Sequence, residues 1–231
     1  MRAIILAAGR GERMRPLTDQ TPKPLLTVHG KPLIEWHIEA LAAGGVTDIV
    51  INTAWLSAQF PALLGDGSRF GLRLHFIDEA LDFGAALETA GGIRNALPLL
   101  CPKGERAFWV VSADVFMPEF RFEPARARQF EAGDLDASLW LVPNRPHHPG
   151  GDFGIDAQGL ALSGDAVSPR YTWSCVGLFK ASLFAALPPG GKAALRPSLE
   201  AAIGRRALAA ELYMGPWTDV GTPERWAALQ D

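Results

Sequence analysis

The chain has 231 residues, 48% hydrophobic and 20% charged, with a formal net charge of −3. That length buries a core without disulfide or metal staples, and the composition excludes a disordered chain. The mild negative charge excludes the bulk electrostatics of a dedicated nucleic-acid or anionic-membrane binder, although a local basic loop can still hold a small anion. Cys101 and Cys175 are the only cysteines and form no CxxC pair, so neither a disulfide scaffold nor a thiolate zinc site is expected. The first apolar run meets glycines and arginines too soon for a signal peptide. No stretch reaches the roughly 20 apolar residues of a membrane span. The expectation is a reducing, cytoplasmic compartment, with no nucleic acid, membrane or obligate protein partner.

In chain order, Arg2 to Leu6 reads as a strand buried on both faces. Gly9 to Thr21 is a polar loop rich in glycine and arginine, and Pro22 and Pro24 bracket Lys23 and exclude regular structure there. Pro32 to Leu41 is an amphipathic helix closed by Gly44-Gly45, and Asp48 to Asn52 is the next strand. Trp55 to Leu64 reads as helix, Leu72 to Ile77 as strand, Glu88 to Leu97 as helix and Ala107 to Val111 as a strongly apolar strand. Beyond Asp134 the alternation loosens. Ala137 to Val142 and Trp173 to Phe179 read as strands, and Asn144 to Gly151 as a Pro/Gly/His loop. Short helices are expected at Ala181–Leu187, Pro197–Gly204 and Pro223–Leu229. Alternating strands and helices predict an α/β fold: a doubly wound, mostly parallel sheet with helices on both faces and an elaborated C-terminal third. The whole of 1–231 reads as a single domain.

Three features suggest chemistry. The glycine-rich turn after the first strand can aim backbone N–H groups at a phosphate. It lacks the Gly-Lys-Ser/Thr of a Walker A loop, and Arg13 stands where a dinucleotide fingerprint has its third glycine. Arg10, Arg13 and Arg15 concentrate three guanidiniums, which suits a triphosphate. Lys23, between two prolines, is a placed cation of the kind phosphoryl chemistry uses at a developing charge. Asp114 follows a buried strand, where open α/β sheets bind ligands. Asp219 is a second carboxylate with no lysine near it in sequence. Two carboxylates with triphosphate oxygens make an oxygen-only shell that suits Mg²⁺. His147-His148 has the look of a metal pair, but adjacent side chains project apart, and the setting favours a loop.

The string from Leu6 to Leu25 resembles the signature of the sugar-1-phosphate nucleotidylyltransferases, L-A-A-G-x-G-x-R-M-x-P-L-T followed by P-K-P-L. Leu87 to Ile93, Ala113-Asp114 and Trp217 to Pro223 follow in the family's order. The resemblance implies a Rossmann-like nucleotidyltransferase domain, with about 1–134 taking the nucleotide and about 135–231 the sugar. It implies a magnesium-dependent reaction of a sugar 1-phosphate with a nucleoside triphosphate, giving nucleotide-sugar and pyrophosphate. Carried over by position, Ala8, Gly9, Arg10, Gly11, Glu88 and Gly91 are nucleotide residues. Arg13 falls on the departing β,γ-phosphates and Lys23 at the α-phosphate, both counted as catalytic. Asp114 and Asp219 fall on the metal, and Ser112, Asp152 and Ser174 near the sugar.

Within the family the chain is most similar to the branch that uses UTP and N-acetylmuramate 1-phosphate in peptidoglycan recycling. The short C-terminal part, Glu88 in place of the guanylyl branch's glycine, and the run His147 to Phe153 point there. Mannose-1-phosphate guanylyltransferase and glucose-1-phosphate thymidylyltransferase activities are the alternatives. A non-catalytic nucleotide-sugar sensor is another class, but it would be free to lose Arg13, Lys23, Asp114 and Asp219, all of which are present. The chain departs from the family pattern at Ser112-Ala113 in place of Asn-Gly, at Cys175 in place of glycine, and in a longer Asp78–Ala86 segment.

Overall fold

The computed structural model describes residues 1–230. Seven strands form one sheet: β1 (Arg2–Ala7), β2 (Asp48–Thr53), β3 (Arg73–Asp78), β4 (Ala107–Ser112), β5 (Ala137–Val142), β6 (Thr172–Lys180) and β7 (Leu208–Leu212), in the order β7-β5-β6-β4-β1-β2-β3. All pairs are parallel except those of β6, which runs antiparallel to both β4 and β5. The expected α/β architecture is therefore present, with one strand reversed.

Strand alternation builds the two cores. Ile5 points to a layer shared with Ile49, Ile51, Trp109 and Val111, whereas Ile4 points to the opposite layer with Val50, Phe108 and Val110. Helices α1 (Leu33–Ala43), α2 (Gln59–Leu64) and α5 (Pro124–Ala132) cover the first face. On the first strands, α3 (Glu79–Phe83) follows β3 directly, and α4 (Glu88–Leu100) and α6 (Arg196–Gly204) cover the second face. A third cluster joins Met14, Leu26, Val28 and Leu33 to Phe116 and Val220 near the C-terminal helix α7 (Pro223–Ala227).

Two local expectations are corrected, and two elements that the sequence reading did not include are present. Lys23–Leu25 is a single 3-10 turn and not irregular chain; a proline in a first turn forfeits only an N–H that has no partner there. The helix expected from Trp55 begins only at Gln59. Helix α5 buries just Ala127 and Phe130, too narrow a stripe to register as a period. Strand β7 is Leu-Ala-Ala-Glu-Leu, whose residues favour helix, and pairing with β5 along Leu208–Leu212 overrides that preference. Among the described residues no helix is long and apolar enough to cross a membrane.

Candidate active site

The site lies at the carboxyl ends of β1, β2 and β4, where a doubly wound sheet leaves a crevice. A cavity of ≈ 330 Å³ is walled by Ala7, Ala8 and Gly9 at the end of β1, Asn52 on β2, Ser112 and Asp114 at the end of β4, Glu88 and Thr89 on α4, and Lys23. A second, of ≈ 480 Å³, is walled by Arg13, His147, His148, Asp152, Trp173, Cys175, Arg196, Trp217 and Asp219.

The loop's shape follows from its sequence. Gly11 has φ 69, and a Cβ there would meet Thr18 Cγ2 at 3.0 Å, so glycine is required. Thr18 Oγ1 donates to the Gly11 carbonyl at 2.8 Å, and Trp55 Nε1 donates to the Thr18 carbonyl at 2.9 Å. Met14 is fully buried and anchors the turn. These contacts place Lys23, whose side chain is only 11% exposed. Its Nζ donates to Asp114 Oδ2 at 2.7 Å, while Ser112 Oγ donates to Asp114 Oδ1 at 2.6 Å. Burial works to raise the Asp114 carboxyl, but Lys23 and these hydrogen bonds outweigh it and hold the group below its ordinary value.

Asp219 reaches the same place from the far end of the chain. Thr218–Asp219 pairs antiparallel with Val115–Phe116, and Val220 N–H donates to the Asp114 carbonyl at 2.7 Å. Its neutralising partner, absent from the local sequence reading, is Arg225, whose Nη1 donates to Asp219 Oδ2 at 2.6 Å. Asp219 Oδ1 is buried and accepts no hydrogen bond, with His147 Nε2 2.9 Å away. A buried carboxylate oxygen in that condition is a ready cation ligand. No group of three or more metal-ligating side chains occurs among the described residues. The protein would therefore supply two oxygens and leave the rest to phosphate and water, a division that suits Mg²⁺.

His147 and His148 do project apart, each to its own site carboxylate. His148 Nε2 lies 3.2 Å from Asp152 Oδ1, and Asp152 Oδ2 accepts from Trp173 N–H at 2.8 Å. Cys175 sits in a bulge of β6 with φ 64, so the position where the resemblance implies glycine is a left-handed one. Burial first, and then Asp114, Asp152 and Asp219, push its thiol well up, so the thiol stays protonated.

Other expected residues lie elsewhere. The Arg10 guanidinium stacks 4.4 Å over the Trp55 ring. Arg13 lines the second cavity and not the first. Gly91 lets α4 pack on the chain near Gly191, where a Cβ would meet a carbonyl at 2.5 Å. Ser174 is fully buried, and its hydroxyl accepts from Val176 N–H at 3.3 Å. Glu88, with φ 60, forms an ion pair with Lys192 at 3.3 Å across the first cavity. Asn52 and Lys192 were not singled out from sequence.

The nucleotidyl transferase family model matches residues 2–163. The N-acetylmuramate alpha-1-phosphate uridylyltransferase of Neisseria meningitidis is 44% identical over 229 residues, covering 96% of this chain and 94% of that one. The choline-phosphate cytidylyltransferase of Streptococcus pneumoniae is 36% identical over 169 residues, 71% of this chain and 68% of that one. Among solved structures, a Bacillus anthracis protein provisionally described as a glucose-1-phosphate thymidylyltransferase, in complex with sucrose, superposes with TM-score 0.83 at 22% identity, covering 100% of this chain and 96% of that one; it speaks for the fold. A family model spanning well over half of the sequence, and a relative alike along nearly its whole length, make the chain a member of the nucleotidyl transferase family.

Proposed function

We propose that the protein transfers a uridylyl group from UTP to N-acetylmuramate 1-phosphate in a magnesium-dependent reaction, giving UDP-N-acetylmuramate and pyrophosphate in cell-wall recycling. The observation that carries this reading is Lys23, held against Asp114 in the cavity that the glycine-rich loop helps to wall, in a chain 44% identical to a uridylyltransferase of that name. UTP occupies the first cavity, against Ala8, Gly9 and Glu88. The sugar phosphate occupies the second, against Asp152.

An oxygen of the sugar phosphate attacks the α-phosphorus, the bond to the β-phosphate oxygen breaks, and pyrophosphate leaves with that electron pair. The nucleophile is already an anion, so no side chain need act as a base. The difficulty is bringing two polyanions together, and positioning with charge neutralisation answers it. Lys23 neutralises charge at the α-phosphate, and Arg13 adds charge from the second cavity. Asp114 and Asp219 would hold Mg²⁺, which when bound supplies the largest local positive charge at the reacting phosphates. Such substrates are those of a cytoplasmic enzyme.

A panel of nucleoside triphosphates against sugar 1-phosphates, read as pyrophosphate release, tests the reading. UTP with N-acetylmuramate 1-phosphate should be the fastest pair; faster turnover of glucose or mannose 1-phosphate, or of GTP, overturns the assignment. Choline phosphate belongs in the panel because Phe153, Trp173 and Trp217 bring aromatic surface beside Asp152, the kind of site that takes a quaternary ammonium. Arg196 already lies over the Phe153 ring at 4.5 Å, which argues against that occupant.

A further inference from the structure

Glu79, the first residue of α3, is fully buried. Neither of its hydrogen bonds comes from a cation. Oε1 accepts from Asn52 Nδ2 at 2.7 Å, and Oε2 accepts from Leu87 N–H at 2.8 Å. Asn52 is itself buried, and its Oδ1 accepts from Ala7 N–H at 3.2 Å. The chain of bonds therefore runs from the end of β1, through the end of β2, to the turn that opens α4. Its ends adjoin the walls of the first cavity: Ala7 precedes Ala8 and Gly9, Leu87 precedes Glu88 and Thr89, and Asn52 is itself a wall. Helix α4 closes on this chain through Gly92, where a Cβ would lie 2.5 Å from Glu79 Oε1 and 2.7 Å from Asn52 Nδ2.

A carboxylate is the side chain that this geometry demands. Both partners of Glu79 are N–H donors, so both of its terminal atoms must be acceptors. Glutamine would turn an NH₂ toward one of the donors. Flipping Asn52 to accommodate it would leave Ala7 N–H facing another donor. Burying an anion without a countercharge is costly, and burial raises this carboxyl above its ordinary value.

We propose that Glu79 is a positioning residue for the nucleoside triphosphate: through Asn52 and the Leu87 amide it holds the phosphate loop and the α4 turn at the separation the nucleotide requires. The proposal rests on the reading that the first cavity takes the nucleotide, but not on which base it carries. Its test is steady-state kinetics of Glu79→Gln with the triphosphate the wild type uses best. The KM for that triphosphate should rise about tenfold, an effect of the size expected for one unpaired buried donor, with KM for the acceptor phosphate unchanged and kcat lowered less than about threefold. Asn52→Ser should raise the same KM, and the double variant should be less than multiplicative because both residues belong to one chain of bonds. If Glu79→Gln does not fold, the KM split in Asn52→Ser decides alone. A variant that loses thermal stability while both KM values stay at wild type, or shift together, overturns the proposal. A wild-type enzyme that releases no pyrophosphate from any triphosphate overturns the underlying reading, and that is seen before any variant is compared.

Discussion

Lys23 concentrates the chemistry at the scale of single residues. Its ammonium is nearly buried and already aligned on Asp114, so reaching a phosphate costs little reorganisation. Lys23→Ala should lower kcat by about 10²–10³, the range for one preorganised donor at a developing oxyanion; turnover within threefold of wild type would make it a structural lysine. Glu88 has φ 60 and pairs with Lys192. Glu88→Gly removes the side chain from the cavity wall and relieves the left-handed backbone. The ratio of GTP to UTP turnover should rise by about tenfold, the order expected when a pocket wall is trimmed, and an unchanged ratio would take Glu88 out of base selection. Sequence showed Lys23, Asp114 and Asp219 because their neighbours in the chain are so constrained. It could not show Arg225 and His147 beside Asp219, or Asn52 beside Glu79, because each contact is made by folding segments together. The positive φ of Glu88 and Cys175 was legible only as glycine positions filled by other residues.

At the scale of elements, strands near the site are tied by buried polar groups that also titrate. His37 on α1 donates from Nε2 to the Val115 carbonyl at 2.7 Å, on the short strand that pairs with Asp219. Burial is the main cause that lowers its pKa from 6.5 to about 4, against the raising effects of the Val115 carbonyl and Asp114. The folded state therefore resists a proton that the unfolded chain accepts. The stability this supplies is complete above pH 6.5 and is lost as pH falls toward 4, by about 3 kcal/mol in all. Denaturant unfolding followed across that window should show the fall, and His37→Gln, which can still donate to the carbonyl, should flatten it; an identical slope in the variant would assign the fall to other groups. The buried strands β1, β2, β4 and β5 were readable because residues enclosed on both faces form unbroken apolar runs. Helix α5 and strand β7 were not, since one has a minimal apolar stripe and the other takes its conformation from its neighbour.

Across the whole molecule, the catalytic reading requires the middle of the chain and its C-terminal part to meet. Asp114 follows β4, while Asp219 arrives after β7 has paired at the opposite edge of the sheet; the short ladder Val115–Phe116 with Thr218–Asp219, the Val220 to Asp114 bond and the Met14–Val220 cluster hold them together. The two carboxylates are now balanced by separate cations, Lys23 and Arg225, so they could in principle work independently. If instead both serve one Mg²⁺, Asn at either position keeps an oxygen and loses a charge. Asp114→Asn and Asp219→Asn should then each raise the Mg²⁺ concentration needed for half-maximal rate and lower kcat. The double variant should lose less than the product of the single losses, because the second substitution acts on a site already weakened. Strict multiplicativity would mean two independent roles, with Asp219 serving mainly to hold Arg225 and the C-terminal segment in place. Full activity in excess chelator would remove the metal from the mechanism and leave Lys23 and Arg13 to neutralise the phosphates alone.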